Sequence, residues 1–265
     1  MKRRLGLQFP SSSYLTSLLN FRSASLISEL DAHFDSIMMD LKLYPLTSDV
    51  WQSFIQALCN PETYFFREMA QIKRLAELLI KERKRRLRIW SVPSSGGEEL
   101  FSIIMVLDAI GITEIDGFGS EIRLDLVGKA KRGSYDNQSF FDPPPSEYHR
   151  YFSGENLAAI SRVSFKTQTV SIAPSLISRI QFQFGNILDP ITYPWGNFDV
   201  IFCRNLLIYF ESDANRRIIA ALWDKLSPGG YLCLGNSDFI YEFFSIMDNL
   251  EDTIGHNIYR KRNGS

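Results

Sequence analysis

The stretch Arg88-Ile89-Trp90-Ser91-Val92-Pro93-Ser94-Ser95-Gly96-Gly97-Glu98-Glu99-Leu100-Phe101-Ser102 decides the fold. Arg88 to Ser91 reads as a short central strand, and Pro93 to Gly97 as a turn. Apolar residues then return at Leu100, Ile103, Ile104 and Leu107, which is helical spacing. A glycine turn between the carboxyl end of a parallel strand and a helix lets a ligand approach the backbone closely, as in a nucleotide-type pocket. Taken alone, the same turn serves equally well as plain strand-to-helix punctuation.

Glu98 argues against a phosphate in that pocket, because a carboxylate at a helix start competes with an anion for the same amides and the positive dipole end. A neutral or cationic adenosyl ligand fits better. Neither G-x-G-x-x-G nor the G-K-[ST] ending of a P-loop is present.

Downstream, strands and helices alternate. Ile115 to Ser120 reads as a strand ending at Glu121, about twenty residues past the turn, where doubly wound folds place an acid for ribose hydroxyls. A helix from about Leu124 to Arg132 follows, and Pro143 to Pro145 enforce a loop. The alternation within Ser161 to Ser171 predicts a half-exposed hairpin strand of a small β insertion. Ile180 to Phe184, the continuous run Phe198 to Cys203, and Tyr231 to Leu234 read as further strands, with a last one at His256 to Arg260. The count predicts an α/β fold: a doubly wound sheet of about seven strands closing on an antiparallel hairpin.

Upstream, Leu26 to Leu41 and Val50 to Leu58 have helical apolar faces, the second behind Thr47 and Ser48 as cap candidates. Residues 1–70 are expected to form a small helical domain and residues 71–265 the sheet domain, with the insertion at about 153–185. Met69 to Leu79 predicts a further helix closed by the charge run Lys81 to Arg86, a solvated helix end or an anion site.

A chain of 265 residues has room for one α/β domain and a small accessory one. With 29 basic and 30 acidic residues, no global field steers it to nucleic acid or an anionic membrane. Three scattered cysteines and three histidines suggest neither a disulfide framework nor a metal site. No signal peptide or spanning run is evident, and the expectation is a cytoplasmic, soluble monomer.

Four segments in this order resemble the chemotaxis receptor methyltransferases of the CheR type: Thr63 to Glu68 (T-Y-F-F-R-E), Trp90 to Ser102, Phe202 to Phe210 (F-C-R-N-L-L-I-Y-F) and Leu226 to Gly230 (L-S-P-G-G). The resemblance implies a Rossmann-like class I methyltransferase fold and S-adenosyl-L-methionine as cofactor, with S-adenosyl-L-homocysteine as product. It also implies methylation of glutamate side chains on the cytoplasmic helices of a chemoreceptor. Thr63, Arg67, Glu98, Glu121, Asn186, Ile187, Arg204, Asn205 and Leu206 are then cofactor contacts, Glu121 on the ribose, while Arg67 and Tyr209 flank the transferable methyl. In the family the insertion can tether the enzyme to a receptor tail by strand addition.

Three departures stand out. Glu121 replaces the usual aspartate, Pro61 a common asparagine, and Tyr14 to Leu30 carries only Arg22 where receptor-docking members have an arginine cluster. The residues alone leave other readings open: Arg67 as an ion pair with Glu62 or Glu68, Tyr209 as a core aromatic, Asn205 as a turn former, Glu98 as a helix-dipole acid. Two other functions compete, a non-catalytic S-adenosylmethionine-binding signalling module and an NAD-dependent oxidoreductase.

Overall fold

The structure, a computed structural model, describes residues 43–59, 61–154, 156–164, 167–238, 241–247, 250–253 and 255–263. The expected helix at 26–41 and the segment around Arg22 lie outside the described residues.

The continuous apolar runs become the interior strands of a seven-stranded sheet. β1 (Arg86–Ser91) lies at the middle of its five parallel strands, flanked on one side by β2 (Glu114–Glu121) and β6 (Ile180–Phe184), on the other by β7 (Phe198–Cys203) and β8 (Leu226–Leu234). These five are mutually parallel. β10 (Ile258–Lys261) pairs antiparallel with β8, and β9 (Leu250–Thr253) antiparallel with β10, so the sheet closes on the hairpin the sequence predicts. β9 itself was not foreseen. The chain leaves β1 for β2 on one side and returns to β7 on the other, and the strand order reverses above the carboxyl end of β1.

Two cores cover the faces. On one, Leu87 and Ile89 of β1, Phe202 of β7 and Tyr231 of β8 pack with α2 (Met69–Lys81) and α3 (Glu98–Ala109). On the other, Trp90, Ile201 and Leu232 meet α5 (Ser212–Lys225) through Ile218, Leu222 and Trp223. Alternate residues of β1, β7 and β8 thus serve opposite cores, which is why Val200 to Cys203 and Tyr231 to Leu234 are apolar at every position. α3 is buried almost all round, from Leu100 to Leu107.

α1 (Asp49–Leu58) buries Trp51, Phe54 and Ile55. It is fastened by Gln52, which donates to the carbonyls of Leu46 (2.8 Å) and Ile122 (3.1 Å) and accepts from Leu124 N–H (2.8 Å). α4 (Leu124–Arg132) ends at Gly133, whose φ of +60° forms the left-handed helix stop.

The insertion differs from its expected bounds. β3 (Ser134–Asp136), β4 (Phe152–Ser153) and β5 (Thr169–Ile172) make a separate antiparallel sheet in the order β3-β5-β4, beginning directly after Gly133. Ile180–Phe184 belongs to the main sheet, held by five parallel pairs to β2. The early start is invisible to periodicity because β3 has three residues and β4 two. The alternating stretch from Ser161 is strand only from Thr169 on among the described residues.

The charge run distributes its charges over nearby acids. Glu82 accepts from the Tyr231 hydroxyl and pairs with Arg260, Lys84 lies 3.6 Å from Asp199, and Arg86 is 3.2 Å from Asp116. Two of the run's basic residues, Lys84 and Arg86, are thus paired with acids, as the helix-end reading expects. No helix among the described residues is long and apolar enough to cross a membrane.

Candidate active site

The loops after the parallel strands converge on a cavity of about 330 Å³. The turn after β1 contributes Val92 to Ser95, the end of β2 contributes Glu121 to Arg123, the loop after β6 Gly185 to Ile187, and the loop after β7 Arg204 to Leu206 with Ile208 to Phe210. The end of α1 and the linker to α2 close the mouth with Ile55, Leu58, Cys59 and Pro61 to Thr63, and with Arg67. Thr63, Arg67, Glu121, Asn186, Ile187, Arg204, Asn205, Leu206 and Tyr209, far apart in the chain, are thereby brought together.

Glu98 is the exception. Its side chain is fully buried away from the cavity, where Oε1 accepts from Lys129 Nζ (2.7 Å) and Ser139 Oγ (2.9 Å). Its neighbour Glu99 lines the cavity instead. Successive helical residues point about 100° apart, so only one of two adjacent acids at the start of α3 can face the strand ends. The case against a bound phosphate therefore passes from Glu98 to Glu121.

Glu121 ends β2 with its carboxylate held by two backbone amides, Ser95 N–H on Oε2 (2.9 Å) and Arg123 N–H on Oε1 (3.0 Å). Burial raises its pKa above the usual carboxylate value, and these amides only partly offset the effect. Each oxygen keeps acceptor capacity for a further donor. Beside it, the buried Ser95 Oγ has no hydrogen-bond partner among the described residues.

The loop after β7 is shaped by a residue the sequence reading passed over. Asp238, 2% exposed, accepts from Asn205 N–H and Gly235 N–H (3.0 Å) on Oδ2 and from Leu207 N–H (2.9 Å) on Oδ1. Asn205 takes a left-handed φ of +56°, and its own amide is committed to Asp238. Gly235 leaves the room this needs, since a Cβ there would stand 2.6 Å from Asn205 N. The separation of 33 positions from Asn205 to Asp238 puts this partnership beyond any local motif.

Arg204 pairs with Glu99 at 2.9 Å, both nearly buried, and donates from Nη2 to the carbonyl of Arg67 (2.9 Å). Glu99 also accepts from Ser91 Oγ (2.7 Å). The three arginines of the lining thus differ. Arg204 is neutralised by Glu99 and Arg123 by Asp125 at 2.6 Å, whereas Arg67 donates to the Glu62 carbonyl (2.8 Å), lies 5.7 Å from the Tyr64 ring and meets no carboxylate among the described residues. Tyr209, 43% exposed on the turn Leu207–Tyr209, has its pKa raised by burial and by Cys59, with the Arg67 charge pulling it back.

Apolar walls from Ile55, Leu58, Val92, Ile122, Ile187 and Leu206 surround this acidic, amide-bearing set. An adenosyl group asks for that combination: apolar faces for the base and an ionised acceptor for the ribose. Fold and site together define an S-adenosylmethionine-dependent methyltransferase, with the pocket at the switch point of a doubly wound sheet.

Residues 61–255 match the family described as CheR methyltransferase, SAM binding domain, and the chain belongs to that family. It is 33% identical over 205 residues to chemotaxis protein methyltransferase 2 of Vibrio cholerae, a match covering 74% of this chain and 68% of that protein. Over 216 residues it is 32% identical to the chemotaxis protein methyltransferase of Escherichia coli, covering 80% and 71%. Chemotaxis protein methyltransferase 1 of Pseudomonas aeruginosa is 32% identical over 197 residues, covering 69% and 68%. The activity is S-adenosylmethionine-dependent methylation in chemotaxis.

Proposed function

We propose that the methyl acceptor is a glutamate carboxylate on the cytoplasmic helices of a chemoreceptor, with glutamate methyl ester and S-adenosylhomocysteine as products. The observation that carries this reading is Arg67, a guanidinium on the cavity wall with no carboxylate of its own among the described residues. Its planar fork can grip an incoming carboxylate through two parallel charge-assisted bonds. The cofactor, when bound, supplies an electrophilic methyl on a sulfonium. A glutamate acceptor is already ionised at neutral pH, so no general base is required. Orientation within a water-poor crevice is then the main task, and it is worth about 7–11 kcal/mol in well-ordered reactions.

In this reading Glu121 takes the ribose hydroxyls, Asn186 and Ile187 flank the base, Thr63 and Asn205 meet the polar remainder, and Arg67 with Tyr209 borders the reacting carbon. Incubation with methyl-labelled cofactor and a chemoreceptor cytoplasmic fragment tests the proposal. Label that is released as methanol by alkali supports carboxylate methylation. Alkali-stable label would place the methyl on nitrogen or carbon, and cofactor binding with no transfer would favour a signalling module.

A further inference from the structure

Arg67 sits in an unusual piece of backbone. Phe66 and Glu68, on either side of it, both take left-handed conformations, with φ of +62° and +52°. For a bulky residue such as Phe66 this is a rare and costly state that persists only where the surroundings over-determine it. It lets Phe65 enter the core against Tyr135, Phe140 and Phe152 while Thr63 and Arg67 face the cavity. The competing conformation is plain. Arg67, Glu68, Met69 and Ala70 are good helix formers, and right-handed φ at Phe66 and Glu68 would extend α2 backwards and rotate Arg67 off the cavity.

One buried hydroxyl opposes that extension at the Phe66 amide itself, beside the stacking of the Phe66 ring on Tyr148 at 4.9 Å. Ser102 Oγ, 1% exposed on α3, accepts from Phe66 N–H at 2.9 Å and donates to the Glu98 carbonyl one turn back at 2.6 Å. The donated bond fixes the hydroxyl proton on Glu98, so the lone pairs are turned to Phe66. Phe65 N–H is fixed in parallel by the Ser139 carbonyl (2.9 Å), and the Arg67 carbonyl by Arg204.

We infer that Ser102 is a positioning residue for methyl transfer: it holds Phe66 in its left-handed state and thereby aims Arg67 at the cavity. This rests on the role given to Arg67 above. Ser102 does not line the cavity, so its effect passes through Arg67.

The test compares Ser102→Ala, Ser102→Thr, Arg67→Ala and Ser102→Ala/Arg67→Ala in the full chain. In cofactor-free protein, Ser102→Ala should speed hydrogen exchange of the Phe66 amide at least about tenfold while leaving β7 amides unchanged. Its affinity for S-adenosylhomocysteine should stay within about threefold of wild type, showing an intact cavity, and kcat on a receptor fragment should fall about 10- to 100-fold, the scale of an orientation defect. Ser102→Thr, which keeps the hydroxyl, should restore slow exchange and most of kcat. In the Arg67→Ala background, Ser102→Ala should cost nothing further. Unchanged exchange at Phe66, or a further loss of kcat in the double variant as large as in the single one, would overturn the inference. Near wild-type turnover in Arg67→Ala alone would instead overturn the role of Arg67, with the exchange result still showing whether Ser102 holds Phe66.

Discussion

Arg204 donates from Nη2 to the main-chain carbonyl of Arg67 across 2.9 Å, so a residue at the end of β7 fixes the backbone of a residue in the linker before α2. The same guanidinium is paired with Glu99, and its side chain is 2% exposed. Strand end, helix start and linker therefore share one buried ion pair, and the relative placement of the cavity walls depends on it.

Breaking that pair should be expensive because it strands a buried charge. Arg204→Met leaves Glu99 uncompensated and is expected to destabilise the fold by about 3–5 kcal/mol, lowering the melting temperature by roughly 5–20 °C. Arg204→Met/Glu99→Leu should recover most of the loss, as apolar replacement of both partners usually does. Thermal unfolding of the three proteins checks this. A double variant no more stable than the single would show that the pair is held for something other than charge balance.

Glu121 predicts a pH dependence with opposite signs for binding and stability. Its folded pKa is raised above the usual 4.5 by burial, so between that value and the raised one the folded state holds more protons than the unfolded. Through this window its contribution to stability falls as pH rises. The ionised form is the better acceptor for hydroxyls, so affinity for S-adenosylhomocysteine should rise over the same range. Calorimetry between pH 4.5 and 8 should find both trends in wild type and both weakened in Glu121→Ala, where the buried Asp238, whose pKa is also raised, still contributes to the stability trend.

Gly235 tests the packing of the loop after β7. Alanine there would put Cβ 2.6 Å from Asn205 N and 2.9 Å from Asp238 Oδ2, and the nearer of these is backbone that cannot swing aside. Gly235→Ala is expected to lose about 1–3 kcal/mol of stability and to weaken cofactor binding by displacing Asn205. Denaturant titration and calorimetry give the two numbers.

Arg67→Lys separates charge from geometry. Lysine keeps the positive charge and loses the planar fork, so kcat should drop about 10- to 100-fold while affinity for S-adenosylhomocysteine changes little. Equal losses in both would assign Arg67 to the cofactor rather than to the acceptor.

How far the residues alone foretell this arrangement depends on the distance over which each feature is decided. Strands such as Phe198–Cys203 are legible because burial on both faces leaves the run Val200 to Cys203 apolar at every position. The turn at Pro93 to Gly97 and the acid at Glu121 are legible because both sit at fixed offsets from strand ends. Glu98 and Glu99 could not be told apart, since the choice is made by Lys129, thirty-one residues on, which draws Glu98 inward. Asp238 and Gln52 were missed for a similar reason: each is a single polar residue whose partners are backbone groups of remote loops. The insertion was placed too late because strands of two or three residues carry no period.

Crystals grown with S-adenosylhomocysteine test the central claim most directly. The account predicts the ligand in the cavity above β1, β2, β6 and β7, its ribose hydroxyls on Glu121 and its sulfur toward Arg67 and Tyr209. A ligand bound elsewhere, or a ribose resting on Glu98 with Glu121 untouched, would contradict it.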